Sequence, residues 1–137
     1  IMENKQLTLK EASRILWQKK FSFSGRSSRS EYWLGMISLY IAGIIIYILT
    51  ISLGSASAGL TLTYSTHIPF IIGLAIVAVL WILFAVCNLA LTTRRLHDIG
   101  KRGLWQLLYL IPCVGSVIIF FWTIYISDDD NKYGLKP

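Results

Sequence analysis

A stretch of 62 residues without Asp, Glu, Lys or Arg, from residue 32 to residue 93, constrains this chain most strongly. A second uncharged stretch runs from residue 103 to residue 127. A helix needs about 20 apolar residues to cross the roughly 30 Å of hydrocarbon in a bilayer. A soluble domain of 137 residues, 55% of them hydrophobic and only 15% charged, has too little interior for so much apolar surface. The sequence therefore predicts an all-α integral membrane protein.

Three apolar segments have the length of a membrane span. They are residues 33–53, 68–92 and 104–126, and we expect each to form a transmembrane helix. Residues 54–67 between the first two are rich in Gly, Ser and Thr, which is typical of a connecting loop. A polar tail, residues 127–137, follows the third segment. The whole chain is predicted to be a single membrane domain.

The distribution of cations predicts the orientation of these spans. Seven Lys and Arg residues precede the first span, four lie in residues 93–103, none lies in residues 54–67 and two lie in the tail. By the positive-inside rule, the N-terminal segment and the second loop face the cytoplasm. With three spans, the tail would face the opposite side. The alternative is a re-entrant third segment that turns back at Ile111 and Pro112.

A short amphipathic helix is predicted before the first span, over residues 8–20. Thr8 and Glu11 have the spacing of a capping box, in which each side chain satisfies a backbone N–H of the first turn. Leu9, Ala12 and Leu16 follow at helical spacing. We expect this helix to lie in the cytoplasmic interface of the membrane. The alternative is a helix that packs on the protein's own loops.

Three motifs carry a resemblance to a known family. F-x-G-R-x-x-R-x-E-Y-W occupies residues 23–33, R-R-L-H-D-x-G-x-x-G-x-W occupies residues 94–105, and N-x-Y-G occupies residues 131–134. With these motifs the chain resembles a family of small bacterial inner-membrane proteins known as domain of unknown function eight hundred and five. The resemblance implies a three-helix protein of the bacterial inner (plasma) membrane, and it implies no established activity.

The charged residues of the first two motifs are the candidate site. All lie within a few residues of the predicted cytoplasmic boundary of the membrane, and Arg rather than Lys stands at four of the positions. A planar guanidinium binds carboxylate or phosphate with two parallel hydrogen bonds, which Lys cannot do. Three roles stay open: a structural clip between spans, a site for anionic lipid headgroups, and a surface for a protein partner. The candidates are Arg26, Arg29, Glu31, Arg94, Arg95, His97 and Asp98.

Polar residues within the spans are few. We expect Ala85, Asn88 and Thr92 to face protein rather than lipid, because an amide in hydrocarbon lacks hydrogen-bond partners. Asn88 is thus predicted to be a helix-packing residue. A homo-oligomer and a bundle within one chain are both compatible with these positions.

No catalytic, cofactor or metal site is expected. The two histidines, His67 and His97, lie on opposite sides of the predicted membrane, too far apart to share a metal ion. The net charge of +6 is explained by the inner face of the membrane, so no nucleic-acid partner is needed. The sequence favours a non-enzymatic interaction module whose Arg-rich cytoplasmic face meets lipid headgroups or a protein partner. The alternative is a subunit of a small oligomeric transporter or channel.

Overall fold

The computed structural model describes residues 7–59 and 64–137, and these residues are mainly helical. Four α-helices follow one another: α1 (Leu9–Gln18), α2 (Arg29–Gly59), α3 (Tyr64–Asp98) and α4 (Val114–Ile124). A 3₁₀ helix (Gly103–Leu110) lies between α3 and α4. The contacts divide the described chain into two units, one of residues 7–38 with 86–137 and one of residues 39–59 with 64–85.

Helix α1 begins where the capping box predicts. The Thr8 hydroxyl accepts the Glu11 backbone N–H at 3.3 Å, and the Glu11 carboxylate accepts the Thr8 backbone N–H at 3.0 Å. The helix ends at Gln18, two residues before the predicted end. Ala12 and Leu16 are buried, whereas Leu9 is exposed. One stripe of the helix therefore packs on the protein, and the rest of its surface is open.

Two helices are long and apolar enough to cross a membrane. These candidate spans, Arg29–Ser55 and Ile68–Asp98, contain the first two predicted spans. Both helices extend beyond the predicted bounds, so that α2 continues into the predicted loop and α3 begins inside it. Residues 60–63 of that loop lie outside the described residues.

In the first unit the start of α2 runs antiparallel to the end of α3. A Cβ added to Gly35 would lie 3.2 Å from the Leu91 side chain, so this glycine allows close packing of the two helices. The Asn88 side-chain amide points at the Met36 sulfur, 4.0 Å away. Asn88 is half-buried and Thr92 is buried in this unit.

In the second unit the rest of α2 and α3 also pair antiparallel. Gly43 admits the ring of Phe84, and Gly73 admits the side chain of Leu53. The Trp81 indole N–H donates to the Thr50 hydroxyl at 3.2 Å. Most large apolar side chains here are exposed, which suits contact with lipid rather than water. Ala85 is exposed as well, and the prediction that it faces protein is wrong.

The third predicted span is not one helix. Over residues 103–124 the 3₁₀ helix and α4 form a hairpin, which we call the C-terminal hairpin. The Trp105 and Trp122 rings meet edge to face with centroids 5.6 Å apart, so the chain returns to the point where it started. The prediction of a continuous helix over 104–126 is therefore wrong. Pro112 interrupts the backbone hydrogen bonds of a helix because it has no backbone N–H. Cys113 then turns the chain at a positive φ of 64°.

The tip of the hairpin satisfies its own backbone. Ile111 N–H donates to the Leu108 carbonyl at 2.9 Å, Val114 N–H to the Pro112 carbonyl at 2.8 Å, and Gly115 N–H to the Ile111 carbonyl at 3.1 Å. Gly115 permits this turn, since a Cβ at that position would lie 1.7 Å from the Leu108 carbonyl oxygen. The turn therefore depends on a glycine at this position.

The tail lies at the same end of the first unit as the start of α2. Asp128 N–H donates to the Asp98 carbonyl at 3.1 Å, and the Arg26 guanidinium donates to the Gly134 carbonyl at 2.9 Å. The prediction that the N-terminal segment and the tail lie on opposite sides is therefore wrong. The physical reason is the C-terminal hairpin, which returns the chain to the end of α3, whereas a continuous third helix would carry it away from that end.

Gly115→Ala tests the turn of the C-terminal hairpin. Because the new Cβ would overlap a backbone carbonyl, we expect a destabilisation of about 2–3 kcal/mol, visible as a lower thermal midpoint in detergent. Gly54→Ala is the control, because a Cβ there meets no atom within 4 Å in the described part of the chain. Equal midpoints for the two variants would contradict this description of the turn.

Candidate functional site

The first two sequence motifs and the tail meet in one largely buried polar cluster. Its members come from the segment before α2, from the last turn of α3 and from the tail. We call it the clip cluster. It consists of Arg26, Ser27, Arg95, Asp98 and Ser127.

Asp98 lies at the centre of the clip cluster and is fully buried. One carboxylate oxygen accepts the Arg26 Nε–H at 3.0 Å. The other accepts from Arg95 Nη1 and from the Ser127 hydroxyl. Two guanidinium groups therefore neutralise one carboxylate away from water, and the ionised form keeps full hydrogen bonding.

The remaining donors of Arg26 bind backbone carbonyls of the tail. Nη1 donates to Asp129 O at 3.0 Å and to Gly134 O at 2.9 Å. Nη2 donates to Asp128 O at 2.6 Å and to Asp98 O at 3.1 Å. One side chain therefore fixes the position of the tail against the end of α3.

Arg95 does the same for the C-terminal hairpin. Its Nε donates to the Thr123 carbonyl at 3.0 Å, and Nη2 donates to the Tyr125 carbonyl. These carbonyls lie at the end of α4, where the helix itself leaves the acceptors unused. Arg95 thus caps α4 from outside and ties the hairpin to Asp98.

His97 and the tail motif form a second contact beside the clip cluster. The His97 and Tyr133 rings stack with centroids 3.9 Å apart and planes 7° apart. His97 Nδ1 lies 3.3 Å from the Gly25 carbonyl, an acceptor, so the geometry requires the proton on Nδ1. The Asn131 amide donates to the His97 carbonyl at 3.0 Å and caps the end of α3. These contacts give His97 a structural role.

Arg94 and Glu31 are buried outside the clip cluster. The Glu31 carboxylate accepts the Ser27 hydroxyl at 2.9 Å, and the Ser27 N–H donates to the Arg94 carbonyl at 3.2 Å. No hydrogen bond joins the Glu31 and Arg94 side chains in the described part of the protein. Arg29 is exposed at the start of α2.

The structure brings some of the candidate residues together and separates others. Arg26, Arg95 and Asp98 make the contact that a clip between spans requires, with His97 beside them. Arg29, by contrast, is exposed. Sequence reasoning missed Ser27 and Ser127, and it placed the tail elsewhere. The N-x-Y-G motif was the signal that linked the tail to the other two motifs.

Comparison with known proteins identifies the family to which these motifs belong. A family model described as a protein of unknown function (DUF805) matches residues 20–135, which include all three motifs. The chain belongs to the DUF805 family. The resemblance drawn from the motifs is thus confirmed. No solved structure matches the chain significantly.

Two curated relatives of this DUF805 chain are inner-membrane proteins of Escherichia coli (strain K12). Inner membrane protein YhaI is 32% identical over 118 residues, covering 84% of this chain and 85% of the relative. Inner membrane protein YhaH is 30% identical over 116 residues, covering 84% of this chain and 86% of the relative. With its two long apolar helices, the DUF805 chain is an integral inner-membrane protein. Within the described residues, no group of three His, Cys, Asp or Glu side chains is placed to hold a metal ion.

Asp98→Asn tests the clip cluster. Removing the charge leaves two buried guanidinium groups without their carboxylate, which we expect to cost about 3–5 kcal/mol. Asp129→Asn is the matched control, because that side chain is exposed and pairs only with exposed Lys136. Thermal unfolding in detergent measures both variants, and an equally small effect of the two would show that the clip cluster contributes no stability.

Proposed function

We propose that this DUF805 protein is a non-enzymatic membrane module whose cytoplasmic face binds anionic lipid headgroups. The observation that carries the proposal is the surface around α1. Trp17, Phe21 and Phe23 are 60%, 53% and 45% exposed, and the Lys20 ammonium lies 5.3 Å from the Trp17 ring and 5.6 Å from the Phe21 ring. Aromatic side chains beside cations are typical of a segment at the level of lipid headgroups.

Exposed cations extend this aromatic surface. Arg26 and Arg95 were candidates for binding lipid headgroups. Both donate their hydrogen bonds to acceptors within the protein instead. The headgroup surface is therefore better assigned to cations that are open to solvent. We call it the basic surface, and it consists of Lys10, Arg14, Lys19 and Arg29. Each cation near an anionic membrane surface contributes about 1 kcal/mol of attraction.

The proposed topology has two spanning helices and one re-entrant hairpin. The 3₁₀ leg has 8 residues and the α4 leg has 11, so both are about 16 Å long, roughly half of the hydrocarbon thickness. Hydrogen bonds within the turn at Pro112 support its placement at membrane depth, where backbone groups need partners. The excess of cations supports a cytoplasmic N-terminal segment, and the contacts between that segment and the tail support the same side for the tail.

The engagement of His97 supports a non-enzymatic role. Its ring is stacked on Tyr133 and bound to the Gly25 carbonyl, so it is held as a structural group rather than as a general base. A protein partner for the basic surface and a role as a transporter or channel subunit stay predictions.

Reporter fusions test the proposed topology. A reporter that is active only in the cytoplasm, fused after Pro137, should be active, and one that is active only outside should be silent. A fusion within residues 54–59 is the internal control and should give the opposite pattern. An outside signal at the C-terminus would contradict the re-entrant hairpin.

Charge removal tests the basic surface. In nanodiscs, phosphatidylglycerol should raise the thermal midpoint above its value in phosphatidylcholine, and Lys10→Gln with Lys19→Gln should shrink that difference. The double variant Lys132→Gln with Lys136→Gln removes the same amount of charge from the tail and should leave the difference in thermal midpoint unchanged. Added salt should also shrink the difference, because exposed charges are screened. A difference that survives Lys10→Gln with Lys19→Gln would contradict the proposal.

A further inference from the structure

Arg94 is a buried cation whose hydrogen-bonding capacity is unused. The residue is 1% exposed, and its Nε, Nη1 and Nη2 have no hydrogen-bond partner in the described part of the protein. A guanidinium carries five N–H donors. A buried charged group without partners is strongly unfavourable, so an orphaned group of this kind points to something that binds it.

The neighbouring arginines show that this is not a general property of the cluster. Arg26 and Arg95 donate to carboxylate and carbonyl oxygens with every guanidinium nitrogen. Arg95 is the next residue along α3, about 100° around the helix from Arg94. The same turn of α3 thus presents one satisfied arginine and one unsatisfied arginine on different faces.

The charge balance of the buried groups favours an anion. Three arginines (Arg26, Arg94 and Arg95) and two carboxylates (Glu31 and Asp98) are buried here, which leaves one excess positive charge. Asp98 accepts hydrogen bonds from two arginines, and Glu31 accepts one from the Ser27 hydroxyl. A phosphodiester carries one negative charge, and its oxygens match the guanidinium fork.

We propose that Arg94 is a phosphate-binding site. The phosphate is that of a lipid headgroup or a free phosphate, since both offer the same oxygens. A lipid source rests on the proposed function, because it requires anionic headgroups at this face. Because Arg94 is 1% exposed, a phosphate reaches it only when the side chains around it move apart.

The test compares ligand-dependent stabilisation with each variant's own baseline. The full-length protein is purified in a neutral detergent, and its thermal midpoint is followed with added phosphatidylglycerol or with inorganic phosphate. A lipid site gives a shift with phosphatidylglycerol only, and a site for free phosphate gives a shift with both. Arg94→Lys should weaken the apparent affinity about tenfold, because Lys keeps the charge and loses the fork.

A further variant keeps the test decisive if Arg94→Lys folds poorly. Glu31→Gln should strengthen the apparent affinity for phosphate, since a carboxylate that repels phosphate is removed while an acceptor for Ser27 is kept. Arg102→Lys is the matched control, an exposed arginine that makes no side-chain cap and should bind as the wild type does.

Several outcomes overturn the proposal. Absence of a shift in the wild type with either probe would do so, and so would an affinity in Arg94→Lys equal to that in Arg102→Lys. A weaker affinity in Glu31→Gln would mean that Arg94 serves only as a partner of Glu31. The outcome is separable from the basic surface: loss in Arg94→Lys with no loss in Lys10→Gln and Lys19→Gln supports the buried site and refutes the surface, and the reverse result does the opposite.

Discussion

The arrangement of the first unit depends on one buried carboxylate. Asp98 accepts from Arg26, Arg95 and Ser127, which come from three segments far apart in the chain. Removing a carboxylate from water is expensive, and it is tolerated only where opposite charge and hydrogen bonds replace the water. The segment before α2, the end of α3 and the tail must therefore be in place together.

Arginine is suited to this task for a reason that lysine does not share. Arg26 reaches a carboxylate and four backbone carbonyls because its donors spread over a planar fork. A lysine ammonium donates from a single nitrogen and cannot span those acceptors. The preference for Arg at the motif positions thus has a structural explanation at positions 26 and 95, and what these side chains hold is largely backbone.

How far the sequence predicts the fold follows from what hydropathy measures. Helices α2 and α3 follow from uncharged stretches, because only apolar residues fit that length of hydrocarbon. The C-terminal hairpin has the same composition and length as a span, and Pro112 is tolerated in spans. The two differ in contacts that hydropathy does not report, such as the approach of Gly115 to the Leu108 carbonyl. The predicted side of the tail was therefore wrong, because that prediction followed from the number of spans. Its two lysines carry little orienting weight.

The candidate site was predictable to the extent that it uses charged side chains. A clip between spans was among the alternatives, and Arg26 and Asp98, which form it, were both candidates because they flank spans that end on the same side. Backbone carbonyls complete the site. Every residue type carries one, so the sequence does not show which carbonyls take part. Asn131 and Tyr133 were visible as a motif, but their contacts with His97 required the hairpin to bring the tail back.

The clip cluster and the C-terminal hairpin are physically one arrangement. Polar contacts of the hairpin lie at its base, where Gln106 donates to the Thr93 hydroxyl at 2.5 Å and Arg95 binds the end of α4. Leu110, Ile111 and Val114 at the tip are exposed and apolar. In the proposed re-entrant topology the hairpin needs this gradient, because charged groups are tolerated only at the membrane boundary and the tip must satisfy its own backbone hydrogen bonds. The cluster fixes the base, so the tip needs no polar anchor at depth.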